Sequence, residues 1–132
     1  MPSAVTTTNP YFSRLLATVQ HDGFMLRKID KREWNEELLL AAVTNQGRAL
    51  QLIADPSRAV VLAAVGQDGD ALQHVAHQTD EICAAACRQW LGAFHHIVDT
   101  DIRDRVAAQL VDEGVLASDP FADAANAEAY RG

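Results

Sequence analysis

The chain has 132 residues, a hydrophobic share of 48%, a charged share of 22% and a formal net charge of −7 at pH 7. This length fits one domain with its own core, and the composition is that of a folded rather than a disordered protein. The negative charge argues against direct nucleic-acid binding, which needs basic side chains to displace counterions, and no apolar run is long enough for a membrane span.

The N-terminal segment MPSAVTTTNP lacks the basic and apolar regions of a secretory signal. Cys83 and Cys87 lie four residues apart, which places both on one face of a helix, where a disulfide would strain the backbone. Two free thiols suit a reducing compartment, so we expect a cytoplasmic protein. Nine arginines against two lysines, with abundant alanine, are typical of a GC-rich bacterial or phage gene.

A segment of about 22 residues recurs along the chain. The run LLAAVTNQGRALQLI at 39–53 returns 22 residues later at 61–75 as VLAAVGQDGDALQHV. The same apolar positions recur after another 22 residues at 83–97, and a fainter copy lies upstream at a spacing of 24. Such a period is typical of repeat architectures. We predict one domain over residues 1–132, with repeats at about 13–31, 35–55, 57–77 and 79–99.

Each copy contains two short segments with helical periodicity. Leu39, Ala42 and Val43 are spaced as on one face of a helix, and Leu50 with Ile53 shows the same spacing further on. One such hairpin is too small to bury its own apolar face, so the copies must stack, and paired alanines in each copy allow close helix packing. The pattern therefore predicts an all-α fold of short helical-hairpin repeats in a small solenoid-like stack.

Capping residues mark the ends of the predicted helices. The position before the first helix of a copy holds a residue type that accepts a hydrogen bond from the helix N-terminus, namely Asn35, Ser57 and Thr79, and Pro56 is placed to end the preceding helix. A glycine follows the first helix at a common position. These glycines, Gly23, Gly47 and Gly69, are predicted to adopt the left-handed conformation of a helix C-cap.

The repeat pattern weakens after Asp99. An amphipathic stripe predicts a helix over about 100–114 that caps the stack. Asp119 followed by Pro120 favours a last short helix, reaching about residue 129, within the tail 115–132.

The middle copy also resembles a known family. The run AVVLAAV at 59–65, followed by GDAL at 69–72, resembles the repeat of the bacterial and viral family called domain of unknown function 4116. The resemblance extends over about residues 36–98 and weakens in the third copy, where Leu91 replaces the turn glycine and Gly92 follows. This family implies a tandem helical repeat without an assigned activity.

One cluster has the residue types of a metal or thiol site. Cys83, Cys87, His95 and His96 supply thiolate and imidazole groups, which are the usual ligands of tetrahedral zinc. The two cysteines, however, fall at positions that are apolar in the other copies, so they are predicted to lie in the core as small hydrophobic residues. A zinc or cysteine enzyme is thus a minor alternative, and we predict no catalytic residue, metal or cofactor.

Trp90 breaks the repeat pattern at a turn position that is polar in the other copies. Tryptophan and arginine are enriched at the energetic centres of interfaces, and Arg88 is two residues away. We interpret this region as the binding surface for an unidentified protein partner, formed by Arg48, Asp70, Arg88, Gln89 and Trp90. The competing interpretation is that Trp90 folds back to cover its own turn.

The charge distribution suggests a different function. Residues 1–98 contain ten acids and eight bases, whereas residues 99–132 contain eight acids and three bases. An acidic C-terminal part is a feature of proteins that mimic nucleic acid. The alternative hypothesis is a small inhibitor, of the kind that a phage encodes, that blocks a nucleic-acid-binding site on a host protein; a solvated acidic surface is the simpler interpretation.

Overall fold

The computed structural model describes residues 10–121. Its α-helices are α1 (Pro10–His21), α2 (Glu36–Asn45), α3 (Arg58–Gln67), α4 (Asp80–Gln89) and α5 (Thr100–Asp112). Its 3-10 helices are η1 (Gly23–Lys28), η2 (Lys31–Glu33), η3 (Gly47–Leu52), η4 (Gly69–His74) and η5 (Leu91–His96). Residues 10–121 contain no strand, and the prediction of an all-helical fold is confirmed.

Consecutive α-helices pack against each other from α1 to α5. The 3-10 helices η1, η3 and η4 each pack against the α-helix that follows, and η1, η3, η4 and η5 also pack in series. Starts of α2, α3 and α4 are 22 residues apart, as are those of η3, η4 and η5. The second of the two helical segments in these copies is a 3-10 helix rather than a short α-helix. Within residues 10–121, no helix has the length and apolarity to cross a membrane.

The predicted N-caps are confirmed. The side chain of Asn35 accepts a hydrogen bond from the Leu38 N–H at the start of α2. Ser57 and Thr79 do the same at the starts of α3 and α4. Each cap satisfies one of the backbone donors that the first helical turn leaves without a partner.

The core runs along the packed faces of all five α-helices. Among its small residues, Ala42, Ala64 and Ala86 are fully buried. Cys83 and Cys87 are fully buried beside them, as predicted from their positions in the sequence pattern. Close packing of this kind makes the interior sensitive to even small changes in side-chain volume.

The predicted conformation of the three turn glycines is wrong. Among the described residues, Gly114 alone has a positive φ, at 80°. The glycines are needed instead for close packing, because a Cβ on Gly23 would lie 2.3 Å from the carbonyl oxygen of Ala42. The same holds at Gly47 and Gly69, where a Cβ would lie 2.5 Å from the carbonyl oxygens of Ala64 and Ala86.

A side chain from the following helix binds each of these glycines. The N–H of Gly47 donates to Oε1 of Gln67 at 2.6 Å, and the N–H of Gly69 donates to Oε1 of Gln89 at 2.6 Å. Gly23 makes the corresponding bond to Asn45 at 2.8 Å. The start of each of these 3-10 helices is thus fixed to the C-terminal end of the next α-helix.

The helix α5 ends at a left-handed glycine. The N–H of Gly114 donates to the carbonyl of Val111 at 3.0 Å, and the N–H of Val115 donates to that of Leu110 at 2.9 Å. These two hydrogen bonds together form a Schellman motif. Beyond it, the carboxylate of Asp119 accepts the N–H of Phe121 at 2.7 Å. The rest of the predicted last helix, to about residue 129, lies outside the described residues.

Candidate functional site

A shallow depression of about 330 Å³ lies at the C-terminal ends of α3 and α4. We call it the polar depression; it is lined by Arg48, Asp68, Asp70, Gln89 and Trp90. Arg48 lies on η3 and Asp70 on η4, while Asp68 and Trp90 are the extended residues that precede η4 and η5. The serial packing of these 3-10 helices brings together side chains that are about 20 residues apart in sequence.

The position of Trp90 has features of both interpretations made from the sequence, a ring that covers its own turn and a ring exposed for binding. Its ring lies over Gly92, where an added Cβ would be 2.2 Å from the indole Cζ2, so the ring does cover its own turn. The residue nevertheless remains 46% exposed. Its ring centroid is 6.1 Å from that of His96. Trp90 therefore presents an aromatic surface that is held in place on one side and open to solvent.

A small network of charges lies beside the indole. Nε of Arg48 is 3.3 Å from Oδ2 of Asp68, and its NH2 group is 3.4 Å from Oδ2 of Asp70. The other oxygen of Asp70, Oδ1, is 2.9 Å from Nε2 of His96, and Gln73 donates to Oδ2 at 2.7 Å. The hydrogen bond from His96, followed by the nearby charges, keeps the pKa of Asp70 below its usual range. Asp70 is thus an ionised hydrogen-bond acceptor at neutral pH.

Two of the predicted site residues, Arg88 and Gln89, use their side chains to bind other parts of the fold. Arg88 does not line the polar depression; its guanidinium binds both carboxylate oxygens of Glu113, at 2.6 and 2.7 Å. This pair ties the end of α4 to the end of α5. Gln89 lines the depression, but its Oε1 is occupied by the Gly69 N–H. Of the predicted residues, Arg48, Asp70, Gln89 and Trp90 therefore line the polar depression, and Arg88 does not.

Asp68 and His96 belong to the same network but were not predicted. A signal was present in the sequence, since Asp68 is 22 residues before Trp90 and occupies the same turn position. The contact between Asp70 and His96 spans 26 residues, however, and the 22-residue period does not pair these two positions. Only the packing of η4 against η5 brings them together.

The cysteines lie in an environment unsuited to nucleophilic catalysis. Burial raises the pKa of the Cys83 thiol to about 11 and that of Cys87 to about 12. Both thiols are therefore protonated at neutral pH, and protonated thiols are poor nucleophiles and poor metal ligands. Within residues 10–121, no group of three or more His, Cys, Asp or Glu side chains is arranged to hold a metal ion.

Comparisons with family models, curated proteins and solved structures find no match for this chain. The resemblance to domain of unknown function 4116 therefore remains a prediction from the sequence.

Proposed function

We propose that this chain is a non-enzymatic, solenoid-like stack of four helical repeats, capped by α5, which binds a protein partner through the polar depression. The half-exposed indole of Trp90, held beside an ionised aspartate and an arginine, is the observation that carries this proposal. The repeated packing of 3-10 helices supports the stack, because it presents successive turns along one edge.

The surface has the features of an interface centre. An aromatic ring held by its neighbours contributes contact area at little entropic cost on binding. The side chain of Arg48 is 60% exposed beside it and has two carboxylates for neighbours. Charged groups that are already positioned by hydrogen bonds supply specificity without a large conformational change.

The alternative of an acidic inhibitor has less support from the described contacts. Several acids in and near α5 are paired with arginines, since Glu113 binds Arg88 and Asp104 binds Arg103. Arg105 in turn binds Asp80 of α4 at 2.8 Å. Glu113 and Asp104 are therefore less available to a basic partner, whereas the pair of Arg105 with Asp80 offsets no acid of residues 99–132.

Capture of partners by the tagged full chain from a bacterial lysate tests the proposal. We compare Trp90→Ala with Leu91→Ala, an ideal matched control because Leu91 is adjacent and equally exposed, at 46%. We expect a partner that is captured by the wild type and by Leu91→Ala but at least about tenfold less by Trp90→Ala, the effect of losing about 1.4 kcal/mol or more at an interface centre. Circular dichroism must show equal helicity for all three proteins.

Two results would count against the proposal. Partners retained equally by Trp90→Ala would exclude the polar depression as the interface. Partners that ignore Trp90→Ala but dissociate when the salt concentration rises from about 0.1 M to about 0.5 M would favour the acidic inhibitor, because screening weakens electrostatic association.

A further inference from the structure

The residue before each N-cap occupies an equivalent position in three copies and differs in chemistry each time. These residues are Trp34, Pro56 and Gln78, 22 residues apart. Each lies at the N-terminal end of its α-helix, at the edge of the molecule opposite the polar depression. The three side chains therefore show how one structural position is filled by different groups.

Gln78 uses its carboxamide to join two loops. Its Nε2 donates to the carbonyl of His96 at 2.8 Å, and its Oε1 accepts the N–H of Val98 at 2.9 Å. A single carboxamide thus satisfies one backbone acceptor and one backbone donor that are two residues apart. This arrangement matches the donor and acceptor pattern of a primary amide.

Pro56 leaves the corresponding groups without such a partner. The positions 22 residues before His96 and Val98 are His74 and Ala76. Within residues 10–121, neither the carbonyl of His74 nor the N–H of Ala76 has a hydrogen-bond partner. The ring of Pro56 carries no group that could bind them.

A cavity of about 330 Å³ lies at this place, and we call it the Pro56 groove. Pro56, His74 and Ala76 all line it. Its floor is apolar and consists of side chains that are almost fully buried, namely Ile53, Val61, Val75 and Ile82. Asp55, Arg58 and His77 add polar side chains to its lining. An apolar floor that lies between residues with a free backbone acceptor, on His74, and a free backbone donor, on Ala76, suits a side chain that has an aliphatic stem and an amide end.

We propose that the Pro56 groove binds the side chain of a glutamine from a partner protein. The amide group would donate to the His74 carbonyl and accept from the Ala76 N–H, as the chain's own Gln78 does one copy further on. The aliphatic carbons of the glutamine would lie on the apolar floor. This contact is separate from the polar depression and does not depend on Trp90.

Variants at position 56 test whether the groove accepts a carboxamide. Pro56→Gln introduces the side chain that the groove is proposed to bind, so we expect the exchange of the Ala76 amide hydrogen to slow by roughly 3–10-fold, the effect of one hydrogen bond. Pro56→Ala is the matched control, because it removes the proline without adding an amide, and should leave Ala76 exchange as in the wild type. Gln78→Ala should accelerate exchange at Val98 by a similar factor.

A small probe tests binding directly. The isotope-labelled full chain is titrated with N-acetylglutamine amide, and the amide resonance of Ala76 is followed by NMR. N-acetylmethionine amide is the matched probe, since it has the same backbone amides and a side chain of similar length without a carboxamide. We expect the glutamine probe alone to shift Ala76, in the wild type and in Pro56→Ala but not in Pro56→Gln. In Gln78→Ala it should also shift Val98.

Three outcomes would overturn the proposal. Equal shifts with both probes would mean that peptide backbone rather than a glutamine side chain is bound. No shift of Ala76 up to the solubility limit of the glutamine probe would exclude the site. A shift that persists in Pro56→Gln, with Ala76 protected from exchange, would place the probe elsewhere. Each outcome is independent of the capture experiment with Trp90→Ala, so the two proposals can fail separately.

Discussion

The 3-10 helices η4 and η5 have the same length and follow α-helices of the same length, yet their first residues lie in different surroundings. Gly69 begins η4 against the carbonyl of Ala86, whereas Leu91 begins η5 and is 46% exposed. The helix α4 packs against η4, but α5 makes no comparable contact with η5. We infer that a glycine is needed at this position where another helix of the series follows closely, and is dispensable where the series ends.

The end of the series is covered in a different way. The ring of Phe121 lies 5.3 Å from that of Phe94 on η5, and the guanidinium carbon of Arg103 lies 4.2 Å from the Phe121 ring centroid. These aromatic and cation–π contacts cover Phe94 of η5, which is 9% exposed, and leave Leu91 open to solvent. The two segments therefore differ in how they are packed: η4 lies against the backbone of the following helix, whereas η5 is contacted by side chains.

The largest expected difference concerns leucines of the two segments. Leu72 on η4 is fully buried, so Leu72→Ala should lower the free energy of unfolding by about 2–5 kcal/mol through lost burial and a cavity. Leu91→Ala should change it by less than about 0.5 kcal/mol, because the side chain is half exposed. Urea denaturation of both variants checks the difference. Similar losses for both would mean that the first residue of η5 is packed as tightly as the buried leucine of η4.

A smaller difference is expected between two threonines near helix starts. Thr79 caps α4 by accepting the Ile82 N–H, so Thr79→Ala should lower the free energy of unfolding by about 1 kcal/mol. Thr100 is exposed in the first turn of α5, and its hydroxyl makes no hydrogen bond within residues 10–121. Thr100→Ala should therefore change stability by less than about 0.5 kcal/mol in the same urea assay. An equal loss at both positions would contradict the capping role of Thr79.

The smallest effect concerns the attachment of α5 through Arg88 and Glu113. The hydrogen bonds from Arg88 lower the pKa of Glu113 from 4.5 to about 2. Because this folded-state pKa is depressed, the pair contributes its full stabilisation above about pH 4.5 and loses it as the pH falls towards about 2. We expect the urea midpoint of the wild type to fall more between about pH 6 and about pH 3 than that of Arg88→Ala. Equal falls would mean that the pair does not stabilise the attachment of α5.

Much of the fold could be predicted from the sequence because its signals are local. The capping residues Asn35, Ser57 and Thr79 each act on an N–H three residues away, so their position in the sequence determines their contact. The glycines were predicted at the right boundaries but with the wrong physical role. A glycine in a sequence does not reveal whether it is needed for a positive φ or for a close contact, and Gly69 shows the second case.

The polar depression could be predicted only in part. Trp90 was identifiable because it breaks a repeating polar position, and Arg48 and Asp70 lie at related turn positions. The contact between Arg88 and Glu113 could not be predicted, because it depends on how far α5 extends along α4. His96 was missed for a related reason, since its bond to Asp70 crosses between positions that the period does not relate.

The close contact made by the turn glycines holds the 3-10 helices against the helices that follow, and one set of alanine substitutions tests it. At Gly47 and Gly69 a Cβ would lie 2.5 Å from a backbone oxygen, whereas at Gly66, within α3, a Cβ would meet no atom within 4 Å. We predict that Gly47→Ala and Gly69→Ala each lower the free energy of unfolding by about 1–3 kcal/mol, through steric strain. Gly66→Ala should raise it by up to about 1 kcal/mol, because alanine favours the helix. Stabilisation by all three substitutions in urea denaturation would contradict the close approach of the 3-10 helices to the helices that follow them.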